Sequence, residues 1–252
     1  MLNDGIARFS IKADTFNKYR PRYPSEIIDY IKTLLSPTKD IVLADIGSGT
    51  AIFTKQILPF CEKVYGIEPN EKMRKIAENS MNGNNKFISI NGKSESTTLK
   101  SNSIDCITVS QAFHWFDKQK CKLEFKRILK PNVFIILLWN KYENFDQPFL
   151  IEFDKILREY GEGYKNKPTK INIDEINAFF RNGKYTTYKC SNPYLMDFQQ
   201  LLGTLSSCSY IKKSDEHVKM NLESSVRLLF NKYQDNEKIL FLYESVLYYG
   251  KI

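Results

Sequence analysis

Histidine is scarce in this sequence: His114 and His217 are the two it holds in 252 residues. An imidazole-built metal centre is therefore not expected. The five cysteines, Cys61, Cys106, Cys121, Cys190 and Cys208, never fall at Cys-x-x-Cys spacing. They read as buried or free thiols of a reducing compartment, forming neither a disulfide frame nor a zinc site. No uninterrupted apolar run approaches the roughly 18 residues that mark a membrane-crossing helix. The opening MLNDGIARFSIKADTF has no continuous apolar stretch of the kind a secretory leader needs. A cytoplasmic protein with no metal and no membrane contact is the expectation. Repeats, low-complexity tracts and linkers are also lacking, so residues 1–252 are read as a single domain.

Acidic residues are outnumbered, 29 against 37 lysines and arginines, for a formal charge of +8 and a pI near 9.0. Lysine dominates and is scattered along the chain, whereas nucleic-acid surfaces cluster their cations and favour arginine. Charge alone thus argues for a solvated surface whose field favours anionic substrates, and against a nucleic-acid partner.

The chain is organised around residues 41–51, IVLADIGSGTA. A short apolar run reads as a buried strand, two glycines one residue apart make a turn, and residues 52–58 read as a helix. Strand, glycine turn and helix open a nucleotide-binding α/β unit, in which the backbone approaches a ligand that a Cβ would exclude. A dinucleotide fingerprint would need a third glycine at position 52, which is Ile52. Asp45, two residues before Gly47, would face the ligand and repel a pyrophosphate, at a cost of several kcal/mol by roughly 332/(ε·r). A ligand carrying an ammonium and a sulfonium would be attracted, which selects S-adenosylmethionine. The next strand ends VYGIE, placing Glu68 where a carboxylate accepts both ribose hydroxyls.

ADIGSGTA, VYGIEPN, the GKSES turn, IDCITVSQAFHWFD and FKRILKP followed by an apolar strand together resemble the class I S-adenosylmethionine-dependent methyltransferases. Within them the chain is similar to the small-molecule branch of type 11, trans-aconitate methyltransferase-like proteins, to which FNKYRPRYP and HWFD point. The likeness is specific from about residue 16 to residue 139. It implies a three-layer, doubly wound α/β fold with a seven-stranded, mostly parallel sheet, an antiparallel last strand and a small helical cap. S-adenosylmethionine is the implied cofactor and S-adenosylhomocysteine its product. Ala51 stands where the family loop usually carries a third glycine. Alanine is mild there if φ is negative and strained if φ is positive.

In chain order, residues 1–24 end in YRPRYP, whose prolines predict an extended or turned arm. The arm is either a plain surface lead-in or a lid in which Tyr19, Arg20, Arg22 and Tyr23 meet a carboxylate, either the cofactor's or the substrate's. Ser25 is expected to cap the helix that follows. Residues 71–79 read as a helix capped by Asn70, and 86–90 as a strand. The turn at 91–95 follows; in the family it borders the adenine, so Ser94 and Glu95 join Gly47, Ser48, Gly49, Glu68 and Pro69 as cofactor candidates. Residues 104–109 form a strand, after which Ser110 and Gln111 should lie near the methionine part. His114 and Trp115 should lie on the acceptor side. His114 is either a general base, alongside Tyr19 as a catalytic candidate, or a structural residue; methylation of a carboxylate needs no base.

A helix capped by Asp117, running to Leu129 and stopped by Pro131, a strand at 133–139, and a cap-like insertion at 141–183 follow. Beyond it come a strand at 185–190, helix over 193–209 and 222–233, and a last strand at 239–252. The reading is methyl transfer to a small anionic acceptor. The alternatives left open are an RNA- or protein-directed methyltransferase and a non-catalytic cofactor binder. The acceptor's identity and the oligomeric state are not legible.

Overall fold

A computed structural model describes residues 2–35, 40–142, 147–161, 164, 171–208, 211 and 216–252, without the side chains of residues 2–9, 11 and 216. The strands are β1 (Val42–Ile46), β2 (Lys63–Ile67), β3 (Phe87–Ile90), β4 (Ile104–Ser110), β5 (Leu129–Lys141), β6 (Thr186–Met196) and β7 (Ile239–Gly250). They form one seven-stranded sheet in the order β3-β2-β1-β4-β5-β7-β6. β1 to β5 run parallel to one another, and β7 is antiparallel to both β5 and β6. The order reverses beside β1, so β1 and β4 diverge into the crevice where such sheets bind ligands. The expected fold class is thereby established.

The helices are α1 (Leu2–Tyr19), α2 (Ser25–Leu35), α3 (Ile52–Ile57), α4 (Glu71–Ser80), α5 (Lys118–Ile128), α6 (Pro148–Tyr160), α7 (Ile173–Phe179), α8 (Phe198–Ser206) and α9 (Glu216–Tyr233). One face of the sheet packs against α2, α3 and α4 through Ile27, Ile31, Phe53, Ile57 and Ala77. The other packs against α5 and α7 through Phe125, Ile128, Ile176 and Phe179. Parallel strands covered on both faces are apolar throughout, which is why β1 and β4 read so clearly in the sequence. Asn70 caps α4 by accepting the Met73 amide at 3.1 Å, and Asp117 caps α5 by accepting that of Lys120 at 3.1 Å.

Several expectations are corrected. Residues 2–19 are helical, and only Arg20–Pro24 form the extended arm. Ser25 is the first residue of α2, not its cap. β5 begins at Leu129: its register against β4 jumps from Ile104↔Leu129 to Cys106↔Phe134, so Pro131 lies in the bulge between, after α5 has ended at Ile128. Residues 193–196 continue β6 rather than starting a helix. β6 is an edge strand, where a proline's missing N–H is tolerated. Of the expected insertion at 141–183, α6 joins a separate core with α8, α9 and the ends of β6 and β7, whereas α7 packs on the sheet. Among the described residues the cap is thus built from α6, α8, α9 and the ends of β6 and β7, and residues 143–146, 162–163 and 165–170 of the expected insertion lie outside the described ones. All five cysteines are buried free thiols.

Candidate active site

The loop after β1 is held in a shape that glycine makes possible. Gly47 has φ +74°, and a Cβ there would sit 2.6 Å from that of Ala112. The Gly47 and Ser48 amides both donate to the Ile67 carbonyl, at 2.8 and 3.2 Å, which fixes the loop to the end of β2. Ala51 adopts φ +63°, the strained alternative, and is fully buried. An L-residue there costs about 1–2 kcal/mol relative to the right-handed region. Thr50, missed by the sequence reading, is 1% exposed, and its hydroxyl makes no hydrogen bond among the described residues.

Asp45 departs from expectation. It has no accessible surface. One carboxylate oxygen accepts the Thr54 hydroxyl at 2.6 Å, the other that of Thr108 at 3.0 Å. The β1–β4 register sets Thr108 directly beside it. Burial pushes its pKa up to about 6, against the two hydroxyls that lower it. A carboxylate with no accessible surface, satisfied by two hydroxyls, does not face a ligand as the sequence argument expected.

Glu68 is 8% exposed at the end of β2. Its Oε2 accepts the Gly49 amide at 3.0 Å and its Oε1 the Asn70 amide at 2.8 Å. Burial raises its pKa, and the two amides oppose that rise. Each oxygen keeps a further lone pair for a ligand hydroxyl. Pro69 follows, half-buried. Ser94 is buried in its turn, and Glu95 accepts the Asp117 amide at 3.1 Å, so its carboxylate ties that turn to the start of α5.

α1 closes this side. Ser10 accepts from the Asn70 amide group at 2.9 Å and Asp14 pairs with Lys72 at 3.3 Å. The buried Lys12 ammonium donates to the Cys208 and Ile211 carbonyls just past α8, so one helix bridges α4 and the cap.

Tyr23, Ser110 and Gln111 gather where β4 and β5 end, whereas Tyr19 and Arg20 lie against α8 and the residue that follows it. Tyr23 is buried, with its hydroxyl 2.9 Å from that of Ser110; burial raises its pKa. Tyr19 lies over α8 at Gly203, where a Cβ would come within 2.5 Å of its ring. Arg20 sits over the Phe16 ring at 5.1 Å and donates to the Ser207 carbonyl at 3.4 Å. Its charge also reaches the buried Tyr243 hydroxyl. Gln111 donates to the Asn140 carbonyl at 3.0 Å.

Arg22 departs from the expected role. It is exposed, with its charge felt by Lys55, while its backbone carbonyl accepts from Asn192 at 2.8 Å and from Asn140 at 3.2 Å. His114 and Trp115 are exposed on the turn after β4, with ring centroids 5.1 Å apart. Sequence spacing gave no access to Asn140 and Asn192, because they reach the arm from strands more than a hundred residues away.

The loop and its surroundings fit an adenosyl cofactor. The orphaned Thr50 hydroxyl, the spare acceptor capacity of Glu68 and the nearby negative field of Asp45 suit hydroxyl groups and positive charge better than pyrophosphate.

Residues 44–137 match the methyltransferase domain family. A methyltransferase-like protein of Schizosaccharomyces pombe is 23% identical over 96% of this chain and 94% of its own length. A provisionally named methyltransferase of Dictyostelium discoideum is 25% identical over 92% of this chain and 90% of its own. Among solved structures, a provisionally named methyltransferase from an antibiotic biosynthesis pathway of Anabaena variabilis superposes with TM-score 0.64. It is 20% identical over 92% of this chain and 99% of its own, a likeness of fold. The chain is a class I S-adenosylmethionine-dependent methyltransferase, with S-adenosylmethionine as its cofactor.

Proposed function

We propose that this methyltransferase acts on a small organic acid, at its carboxylate. The observation that carries the reading is the placement of Arg20 between α1 and the cap, over the Phe16 ring and beside the Ser207 carbonyl. A guanidinium there suits an acid, because its planar fork grips a carboxylate with paired hydrogen bonds. Glu68 and the glycine loop would hold S-adenosylmethionine, which would supply an electrophilic methyl group for an acceptor oxygen, with its sulfonium as the leaving group.

An ionised acceptor brings its own electron pair, so no residue has to remove a proton. His114, exposed on its turn, then serves with Trp115 and Tyr19 as acceptor wall and not as base. The residues of the chain contribute by alignment and by excluding water. Glu68 holds the ribose, Thr50 and Ser110 meet the methionine part, and α1 covers the site. Tritiated methyl transfer to a panel of small carboxylic acids, phenols and bulk tRNA tests the class of acceptor. An acid should be the preferred acceptor, and Arg20→Ala should raise its KM at least about tenfold through loss of a charge-assisted pair. Preference for a phenol or tRNA, or an unchanged KM, would refute the reading.

A further inference from the structure

Lysines recur at four-residue spacing along α5, at Lys118, Lys122 and Lys126, with Lys130 beyond its end. That spacing stacks them on one helix face. The two ends are neutralised: Lys118 pairs with Glu175 at 3.1 Å and Lys130 with Asp105 at 2.7 Å. Arg127 likewise pairs with Glu124 at 2.7 Å. The two in the middle are not. Lys122 and Lys126 make no ion pair among the described residues, and neither do Arg181, just after α7, and Lys251, just after β7.

These four cations converge from three elements. A cavity of about 650 Å³ is lined by Lys122, Lys126 and Arg181 with Asn177 and Asn182. A second, of about 200 Å³, shares Lys126 and Arg181 and adds Lys130 and Lys251. No aspartate or glutamate lines either cavity. Like charges four apart on a helix destabilise it by a few tenths of a kcal/mol. The dipole of α5 accounts for cations in its own last turn, but not for Arg181 or Lys251, which other elements bring. Burial and the neighbouring Lys126 also lower the pKa of Lys122. The cluster lies at the end of the sheet where β5 begins and β7 finishes, opposite the ends that carry Gly47, Glu68 and Ser110.

We propose that this cleft between α5, α7 and the end of β7 is a second site, which binds linked phosphate groups. Several cations with no acidic side chain among them call for a compact ligand of several negative charges, and an arginine beside lysines suits phosphate oxygens. Phe180, the one aromatic lining residue, is 1% exposed, so the site offers no ring for a base to stack on. It reads charge, and a nucleoside polyphosphate and a nucleic-acid backbone both carry that chemistry.

The test is calorimetry of the full chain with inorganic tripolyphosphate at low and at physiological salt. Wild-type protein should bind, more weakly at the higher salt. Lys126→Ala/Arg181→Ala should weaken binding at least about tenfold, because it removes two charge-assisted contacts. S-adenosylmethionine binding should stay unchanged in that variant. Lys32→Ala/Lys238→Ala, equal in charge but remote, should bind as wild type does. Displacement of tripolyphosphate by a nucleoside triphosphate identifies a small-molecule source, and displacement by a single-stranded RNA without terminal phosphate a nucleic-acid one. Either supports the site. No binding of tripolyphosphate, or equal weakening by the two double variants, overturns it.

Discussion

The carboxylate of Glu68 accepts the amide of Gly49 at 3.0 Å, so the acid that ends β2 also shapes the glycine loop that follows β1. Loop geometry and the proposed ribose contact therefore rest on one side chain. Glu68→Ala removes both, and S-adenosylmethionine affinity should fall about a hundredfold or more; two hydrogen bonds to a charged group account for that much. Glu68→Gln keeps one acceptor oxygen and should fall between the two. Calorimetry with the cofactor measures both; equal affinity in all three proteins would refute the assignment.

Ala51 at φ +63° predicts a stabilising substitution. Ala51→Gly relieves the left-handed strain but adds chain entropy to the unfolded state, for a net gain of about 0.5–1 kcal/mol. In a chain of this size that raises Tm by a few degrees. Ala51→Val should lower it, since a β-branched residue fits the left-handed region worse.

Asp45, with its pKa pushed up to about 6, gives a stability effect of definite sign. Folding favours its protonated form, so its contribution is complete below about pH 4, the ordinary aspartate range, and is lost as pH rises through 6. By pH 7 the loss is roughly 3 kcal/mol. Urea unfolding between pH 4 and 7 should show Asp45→Asn gaining on the wild type as pH rises. The same variant should lose preference for S-adenosylmethionine over S-adenosylhomocysteine, whose sulfur is uncharged, because the acid acts through its field.

Asn140 joins the arm to the sheet: its amide donates to the Pro21 and Arg22 carbonyls at 3.3 and 3.2 Å and accepts from Ser245 and Asn192. Asn140→Ala should free residues 20–23 and raise the KM for the acceptor severalfold. Cofactor affinity should hold, since Glu68 and the glycine loop are untouched. A fall in cofactor affinity with the acceptor KM unchanged would place the arm on the other side of the site.

The first half of the molecule was legible because its signals are local. β1 is an apolar run ending in glycines, Asn70 and Asp117 cap the helices they precede, and Glu68 ends the second apolar run. What escaped depends on distant partners. α1 is polar-aromatic in sequence and is seated by Lys12 on the carbonyls of residues 208 and 211. Residues 193–196 read as the start of a helix, and only their pairing with β7 makes them the end of β6, an edge strand where Pro193 is tolerated. The burial of Asp45 follows from Thr54 and Thr108, the latter brought alongside by strand pairing that no local pattern encodes.

Methylation of a carboxylate leaves a signature that other acceptors do not. A methyl ester formed with tritiated donor is cleaved by mild alkali and releases its label as volatile methanol, whereas methyl ethers, methylamines and C-methyl products keep theirs. Product from the preferred small acid should release its label on alkaline treatment, and Arg20→Ala should lower the yield at limiting acid. Label that stays in an alkali-stable product, or that goes to tRNA in preference to any small acid, would contradict the account.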